Sequence, residues 1–70
     1  MMKNNIKNLR FLANMSQTAL AKKIGVSRET ICRVESNKCN PSLELAYKIS
    51  KSLGSSIEEV FMLEEKKILQ

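Results

Sequence analysis

Three charged side chains lie close together near the middle of the sequence, at Arg28, Glu29 and Arg33. The apolar residues Ile31 and Val34 lie three apart in the same segment, at helical spacing, so the charged groups are predicted to share the exposed face of one helix. An arginine guanidinium presents a planar fork of N–H donors, and this fork matches the O6 and N7 acceptors on the major-groove edge of guanine. These residues could therefore recognise a base edge.

The composition argues against catalytic chemistry. The chain has no His and no Asp, and all seven of its acidic residues are Glu. Without an imidazole there is no Ser-His triad and no His metal ligand. Two cysteines, Cys32 and Cys39, are too few to complete a tetrahedral zinc site. We therefore predict a binding module with no enzyme activity, no cofactor, no metal and no small-molecule substrate.

Charge is unevenly distributed along the chain, whose net charge is +5. Residues 1–57 carry ten Lys and Arg against three Glu, whereas residues 58–70 carry two Lys against four Glu. A basic excess on one part of a short chain indicates an anionic partner. The apolar runs are short, and no apolar segment follows Lys3 and Lys7, so we predict neither a membrane span nor a signal peptide, and a cytoplasmic location.

Helical periodicity runs through most of the sequence, because apolar residues recur at spacings of three and four and not of two. This pattern predicts an all-α fold with five helices at about residues 5–14, 17–24, 28–36, 43–53 and 57–61. Serines are predicted to begin four of them, at Ser16, Ser27, Ser42 and Ser56, the last within an S-x-x-E capping box. Beyond Met62 the chain could continue the helix, fray, or pair as a short strand with the N-terminal residues.

Residues 16–36 have the layout of a helix-turn-helix unit, with two short helices joined by Gly25-Val26-Ser27. Gly25 suits the left-handed conformation that ends a helix. The Val26 side chain is predicted to pack in the core and so to anchor the turn. The small side chain of Ala21 lets the two helices approach closely. In such a unit the second helix enters the major groove of DNA.

These residues resemble the phage-repressor helix-turn-helix family, of Cro-like and Xre type. The resemblance is carried by Ser16-Gln17-x-x-Leu20-Ala21-x-x-Ile24-Gly25-Val26-Ser27-Arg28-x-Thr30-Ile31-x-x-Val34-Glu35, followed by Asn40-Pro41-Ser42. It covers about residues 6–61 and implies a compact five-helix, lambda-repressor-like domain over residues 1–70, with a C-terminal tail at 62–70. It also implies a transcriptional regulator, similar to the small stand-alone regulators of bacteria and phages. Ala19 and Asn37 depart from the family, which commonly has an acid and a glycine there.

The resemblance further implies roles for individual residues. Base readers are expected at the first, second and sixth residues of the third helix, Arg28, Glu29 and Arg33, although Glu29 could instead pair with Arg33 at i,i+4. Gln17 is expected to contact a phosphate, because free N–H groups and the helix dipole favour an anion at a helix start. Other phosphate or positioning contacts are predicted at Ser27, Thr30, Asn37, Lys38 and Asn40.

A structural ion pair is expected between Arg10 and Glu35. Both residues fall on faces predicted to be partly buried. They match family positions where an arginine on the first helix meets an acid at the end of the third. The pair would then hold the recognition helix, residues 28–36, in a fixed position on the rest of the domain.

One recognition helix reads only a few base pairs, so the partner implied is double-stranded DNA bound by a homodimer. The operator would be an inverted repeat with half-sites about 34 Å apart. The predicted dimer surface is Phe61, Met62 and Leu63, with Phe11 and Leu12 as a second candidate, and the alternative is that these residues complete the core. Repression by covering a promoter is the simplest mechanism.

Other functions stay open at this stage. An antitoxin-like protein-interaction module would use the same fold mainly to bind a partner protein. RNA binding has less support, because the aromatic residues available for stacking are few, at Phe11, Tyr47 and Phe61. Cys32 on the recognition helix and Cys39 in the loop after it raise the hypothesis of a redox switch.

Overall fold

A computed structural model describes residues 2–63, with side chains from residue 3 to residue 62. Five helices and two short strands follow one another as β1 (Met2–Asn4), α1 (Ile6–Leu12), α2 (Gln17–Ile24), α3 (Arg28–Glu35), α4 (Leu43–Ser52), α5 (Ile57–Val60) and β2 (Phe61–Leu63). The five-helix, lambda-repressor-like fold is confirmed, as is the short terminal strand pairing. Across residues 2–63, no helix has both the length and the apolar composition needed to cross a bilayer.

Serine side chains begin four of the five helices, as predicted. In each case the hydroxyl oxygen accepts a hydrogen bond from the backbone N–H three residues on, at 3.0–3.2 Å. Glu59 completes the capping box by accepting from the Ser56 N–H at 2.8 Å. Each cap satisfies one of the N–H groups that a helix start leaves without a partner. The serines therefore fix where these short helices begin.

A residue with left-handed backbone conformation lies in the turn after each of the first four helices. Gly25 has φ +80° after α2, and Gly54 has φ +69° after α4. Asn37 takes φ +62° after α3, so an asparagine replaces the glycine that the family commonly has there. Asn14, at φ +59°, lies in the turn after α1, which ends at Leu12 and is therefore shorter than predicted.

The core lies where all five helices meet, and its composition determines which face of α3 reaches solvent. Its buried apolar residues are Ile6, Leu20, Ala21, Ile31, Val34, Ala46, Ile49, Val60 and Phe61. Ile31 is 0% exposed and Val34 is 2% exposed, so burial of these two side chains sets the rotation of α3 about its axis. Ala21, 2% exposed, allows α2 to pack closely on α3. The polar face of α3 is left in solvent as a result.

The prediction that α5 includes Phe61 is wrong. The backbone at Phe61 is extended, with φ −117° and ψ 128°, and this residue begins β2. β2 pairs antiparallel with β1 in the register Met2↔Leu63, Lys3↔Met62, Asn4↔Phe61. The helix ends because strand pairing satisfies the backbone while the Phe61 side chain, 7% exposed, enters the core. The rest of the predicted tail, residues 64–70, lies outside the described residues.

Candidate nucleic-acid interface

Three predicted base-reading residues share the solvent face of α3. Arg28, Glu29 and Arg33 are all exposed, because the opposite side of the helix is held in the core by Ile31 and Val34. In the described part of the chain no ion pair joins Glu29 to Arg33, which leaves the carboxylate and the guanidinium open to an external partner. Such a face can present both donors and acceptors to base edges.

Arg28 is held by α2 through the side chain of Gln17. Arg28 Nη1 donates to Gln17 Oε1 at 3.1 Å. Gln17 Nε2 in turn donates to Glu35 Oε1 at 3.1 Å, so the half-buried Gln17 bridges α2 to both ends of α3. One N–H of the amide remains to reach a phosphate, the contact predicted for this residue. The sequence did not reveal the bridge.

The structure brings Arg10 and Glu35 together across the interior. The Arg10 Nε and Nη2 groups donate to the two carboxylate oxygens, the second contact measuring 3.2 Å. Both side chains are 9% exposed. The third arm, Nη1, donates to the Met15 carbonyl at 3.0 Å and so ties the pair to the turn between α1 and α2. A bidentate ion pair with such low exposure has the geometry of a rigid contact between α1 and α3.

An open cleft of about 570 Å³ lies beside the start of α2. Its lining comes from the end of α1, the following turn, the first turn of α2 and the start of α3: Arg10, Phe11, Asn14, Met15, Ser16, Gln17, Thr18 and Arg28. The first backbone N–H groups of α2 have no intrahelical acceptor, and the helix dipole makes this end positive. The cleft therefore offers an anion free N–H donors next to the Arg28 guanidinium.

Two of the predicted phosphate contacts, Ser27 and Thr30, are engaged with each other. Their hydroxyl oxygens are 2.9 Å apart, and Ser27 Oγ also accepts from the Thr30 N–H. Lys38 and Asn40 are exposed in the loop between α3 and α4. Lys38 is anchored by its backbone N–H, which donates to the Arg33 carbonyl at 2.9 Å. The loop is thereby held against the end of α3, with the Lys38 side chain in solvent.

Asn4 contacts the end of α3, a role that no pattern in the sequence indicates. Its Nδ2 group donates to the Val34 carbonyl at 3.1 Å and contacts the Glu35 carbonyl and Asn37 Oδ1 at 3.3 and 3.1 Å. The Asn4 Oδ1 atom accepts from the Ile6 N–H at 3.1 Å. Asn37, predicted to contact phosphate, is therefore tied to β1. These contacts bridge about thirty residues and depend on the strand pairing.

Replacing Asn4 with Ala should lower the free energy of unfolding by about 1–3 kcal/mol, because the carbonyl groups at the end of α3 lose a side-chain donor. Urea denaturation followed by circular dichroism measures the change. Asn8→Ala on the exposed face of α1 is the matched control and should stay within about 0.5 kcal/mol of wild type. Equal stability of the two variants would remove Asn4 from this role.

The predicted dimer surface needs a correction at one position. Phe61 is buried and packs in the core, so its ring offers nothing to a second copy. Met62 is 39% exposed, and the side chain of Leu63 lies outside the described residues. The second candidates are well exposed, Phe11 at 68% and Leu12 at 84%. Leu43 and Tyr47 on α4 are also exposed.

Both cysteines are free thiols. Cys32 is half-buried on α3, and Cys39 is exposed in the loop that follows. No group of three or more metal-ligating side chains comes together within the described part of the chain. The redox switch stays a hypothesis.

Fold and site together define a helix-turn-helix protein, with α2 and α3 as the two helices and Gly25 in the turn. The sequence profile of the helix-turn-helix family matches residues 6–60. An uncharacterized HTH-type transcriptional regulator of Methanocaldococcus jannaschii is 52% identical over 64 residues, 91% of this chain and 97% of that protein. This chain belongs to the Cro-like, Xre-type helix-turn-helix family of transcriptional regulators.

Solved structures of other proteins show the same fold. A candidate DNA-binding protein from Bacteroides fragilis aligns with a TM-score of 0.78 at 33% identity, over 87% of this chain and 98% of its own. A chain of the SinR–SinI protein complex aligns with a TM-score of 0.71 at 33% identity, over 76% of this chain and 52% of its own. The similarity in fold therefore covers most of the chain.

Proposed function

We propose that this protein regulates transcription by sequence-specific binding of double-stranded DNA, through α3 in the major groove. The observation that carries the proposal is the solvent face of α3, on which Arg28, Glu29 and Arg33 are exposed. Burial of Ile31 and Val34 fixes the orientation of this helix. The basic excess of residues 1–57 supports a polyanionic partner. Its site of action would be the cytoplasm, and residues 1–70 would act as one domain.

Base reading and phosphate binding would be divided between two sets of residues. Arg28 and Arg33 would donate to guanine edges, and Glu29 would accept from a cytosine amino group. Gln17 with the N-terminus of α2, and Lys38 in the loop after α3, would hold the phosphates on either side. Ser27, Thr30, Asn37 and Asn40 would keep the helix start and the loop in register, with Asn40 free for a direct contact.

This division predicts different outcomes for two substitutions. Arg28→Ala should relax the preference at one base position by about 1–3 kcal/mol, because one pair of donors to a base edge is lost. Lys38→Ala should weaken all duplexes about equally, because a phosphate contact carries no sequence information. Competition binding with duplexes that differ at single positions measures both effects.

Lys7→Ala, exposed on α1, is the control and should alter neither affinity nor preference. Uniform weakening by both Arg28→Ala and Lys38→Ala would contradict the division of roles. Unchanged binding in both variants would contradict the use of α3.

A homodimer on an inverted-repeat operator, acting as a repressor, completes the proposal. A single α3 of eight residues contacts too few base pairs to select one site among genomic competitors. Two copies related by a two-fold axis would place two recognition helices about 34 Å apart, one helical turn of DNA. A dimer covering a promoter would then exclude polymerase.

Analytical ultracentrifugation should detect a dimer at micromolar concentration. Met62→Ser should weaken self-association if the face beside β2 forms the interface, and Phe11→Ser should do so if the exposed end of α1 does. Both substitutions should leave the circular dichroism spectrum unchanged, because both side chains lie outside the core. A wild-type protein that remains monomeric at these concentrations, with and without operator DNA, would contradict the dimer.

A protein-interaction module is the second candidate. The exposed apolar side chains of Phe11 and Leu12 favour it, as does the likeness to a chain of the SinR–SinI protein complex. Such a module would bind its partner protein without a sequence preference among duplexes. Selective duplex binding by the isolated protein therefore separates the two candidates.

A further inference from the structure

Four side chains form one continuous chain of polar contacts from the interior to the recognition face. Arg10 pairs with Glu35, Glu35 accepts from Gln17, and Gln17 accepts from Arg28. This series of contacts begins at the Arg10 and Glu35 side chains, which are 9% exposed, and ends at the exposed guanidinium of Arg28. An internal ion pair is thus connected to the first residue of α3 through one amide.

The two ends of this chain fix which way the Gln17 amide points. An ionised carboxylate can only accept hydrogen bonds, and a guanidinium can only donate them. Glu35 therefore requires the Gln17 NH₂ group on its side, and this leaves the carbonyl oxygen to face Arg28. If the amide were reversed, its oxygen would face the carboxylate and its NH₂ group would face the guanidinium.

The carboxylate is itself held in place by Arg10. Two Arg10 donors bind the two oxygens of Glu35, and the third arm reaches the Met15 carbonyl just before α2. Each link in the chain therefore restricts the next, from the buried pair to the amide and from the amide to Arg28. Restricting an arginine in its binding orientation before contact reduces the entropy lost when it meets a base.

We propose that the Arg10–Glu35 pair determines sequence preference at the base read by Arg28, by orienting that guanidinium through Gln17. Arg10, Glu35 and Gln17 are positioning residues in this account, in addition to any role in stability. The inference depends on base reading by Arg28, the function proposed above. A purely structural ion pair would instead affect all base positions to the same extent.

The direct test removes the pair without leaving a buried charge. Arg10→Met with Glu35→Leu replaces both partners by apolar side chains, which commonly preserves folding where a single replacement does not. Preference at the base assigned to Arg28 should fall at least about fivefold, while preference at the base assigned to Arg33 stays unchanged. The Arg33 position thus serves as a reference within the same measurement.

A second variant keeps the test valid if the double replacement does not fold. Gln17→Met retains the length of the side chain and the Arg10–Glu35 contacts, and it removes both hydrogen bonds of the amide. The same selective loss at the Arg28 base is expected. Asn8→Ala, at an exposed position on α1 outside the cleft, should leave the preference at both positions unchanged.

A readout without DNA separates this inference from the proposed function. Nuclear magnetic resonance of the free protein should show slow rotation of the Arg28 guanidinium in wild type and faster rotation in Gln17→Met and in the double variant. Equal rotation in all three proteins would overturn the inference while leaving base reading by Arg28 in place.

The DNA-binding measurements also separate the inference from the proposed function. Unchanged preference at the Arg28 base in a folded Gln17→Met variant, or an equal loss at the Arg28 and Arg33 bases, would overturn the inference alone. If Arg28→Ala in the wild-type background changes no base preference, Arg28 does not read a base. The proposed role of Arg28 and the inference that depends on it then both fail.

Discussion

Arg10→Ala is expected to lower the free energy of unfolding by about 3–5 kcal/mol, because it breaks a nearly buried ion pair by removing one partner. The substitution leaves the Glu35 carboxylate 9% exposed without its ion-pair partner and removes the donor to the Met15 carbonyl. A 70-residue domain has roughly 4–10 kcal/mol of stability in total, so the expected loss is a large fraction of it. Urea denaturation monitored by circular dichroism measures the change.

Lys7→Ala is the matched control for this experiment, since it removes a cation from the same helix at an exposed position. Its stability should remain within about 0.5 kcal/mol of wild type. The double replacement Arg10→Met with Glu35→Leu should recover most of the stability that Arg10→Ala loses. An Arg10→Ala protein as stable as the Lys7→Ala control would show that the pair does not hold α3 against the domain.

Duplex affinity should depend steeply on salt. If a homodimer places about six phosphates against Lys and Arg side chains, affinity should fall about 10³-fold between 50 and 200 mM monovalent salt, because condensed counterions are released on binding. Fluorescence anisotropy titrations over this range give the slope of log affinity against log salt. Lys38→Ala should reduce the magnitude of that slope by about one for each subunit that contacts a phosphate.

Thr18→Ala serves as the neutral control for the salt series, because it changes an exposed side chain without changing charge. Its slope should match that of wild type. Affinity that hardly changes with salt would contradict phosphate binding by this protein, whatever the strength of the interaction.

Local signals were sufficient to predict most of the fold. Each of the four serine caps satisfies an N–H three residues away, so a short stretch of sequence contains the whole interaction. The exposed face of α3 could likewise be inferred from Ile31 and Val34, because two buried positions three apart orient a short helix. The ion pair of Arg10 with Glu35 was expected from the family resemblance, and not from spacing.

Several contacts between distant parts of the chain were not predicted, those of Phe61, Asn4 and Gln17 among them. Phe61 was assigned to α5 because its apolar side chain continues the helical pattern, whereas pairing with β1 extends its backbone. Asn4 reaches α3 only once that strand is formed, across a separation of about thirty residues. The orientation of Gln17 depends on Glu35 and Arg28 approaching from opposite sides, and no pattern in residues 16–36 specifies that geometry.

The central claim is that α3 reads the sequence of double-stranded DNA, and selection from a library of random duplexes tests it most directly. The wild-type protein should enrich a motif made of two inverted half-sites about one helical turn apart. Arg28→Ala should lose the preference at one symmetric pair of positions within that motif and keep the others. Recovery of duplexes with no enriched motif would contradict the account, even if the protein binds DNA tightly.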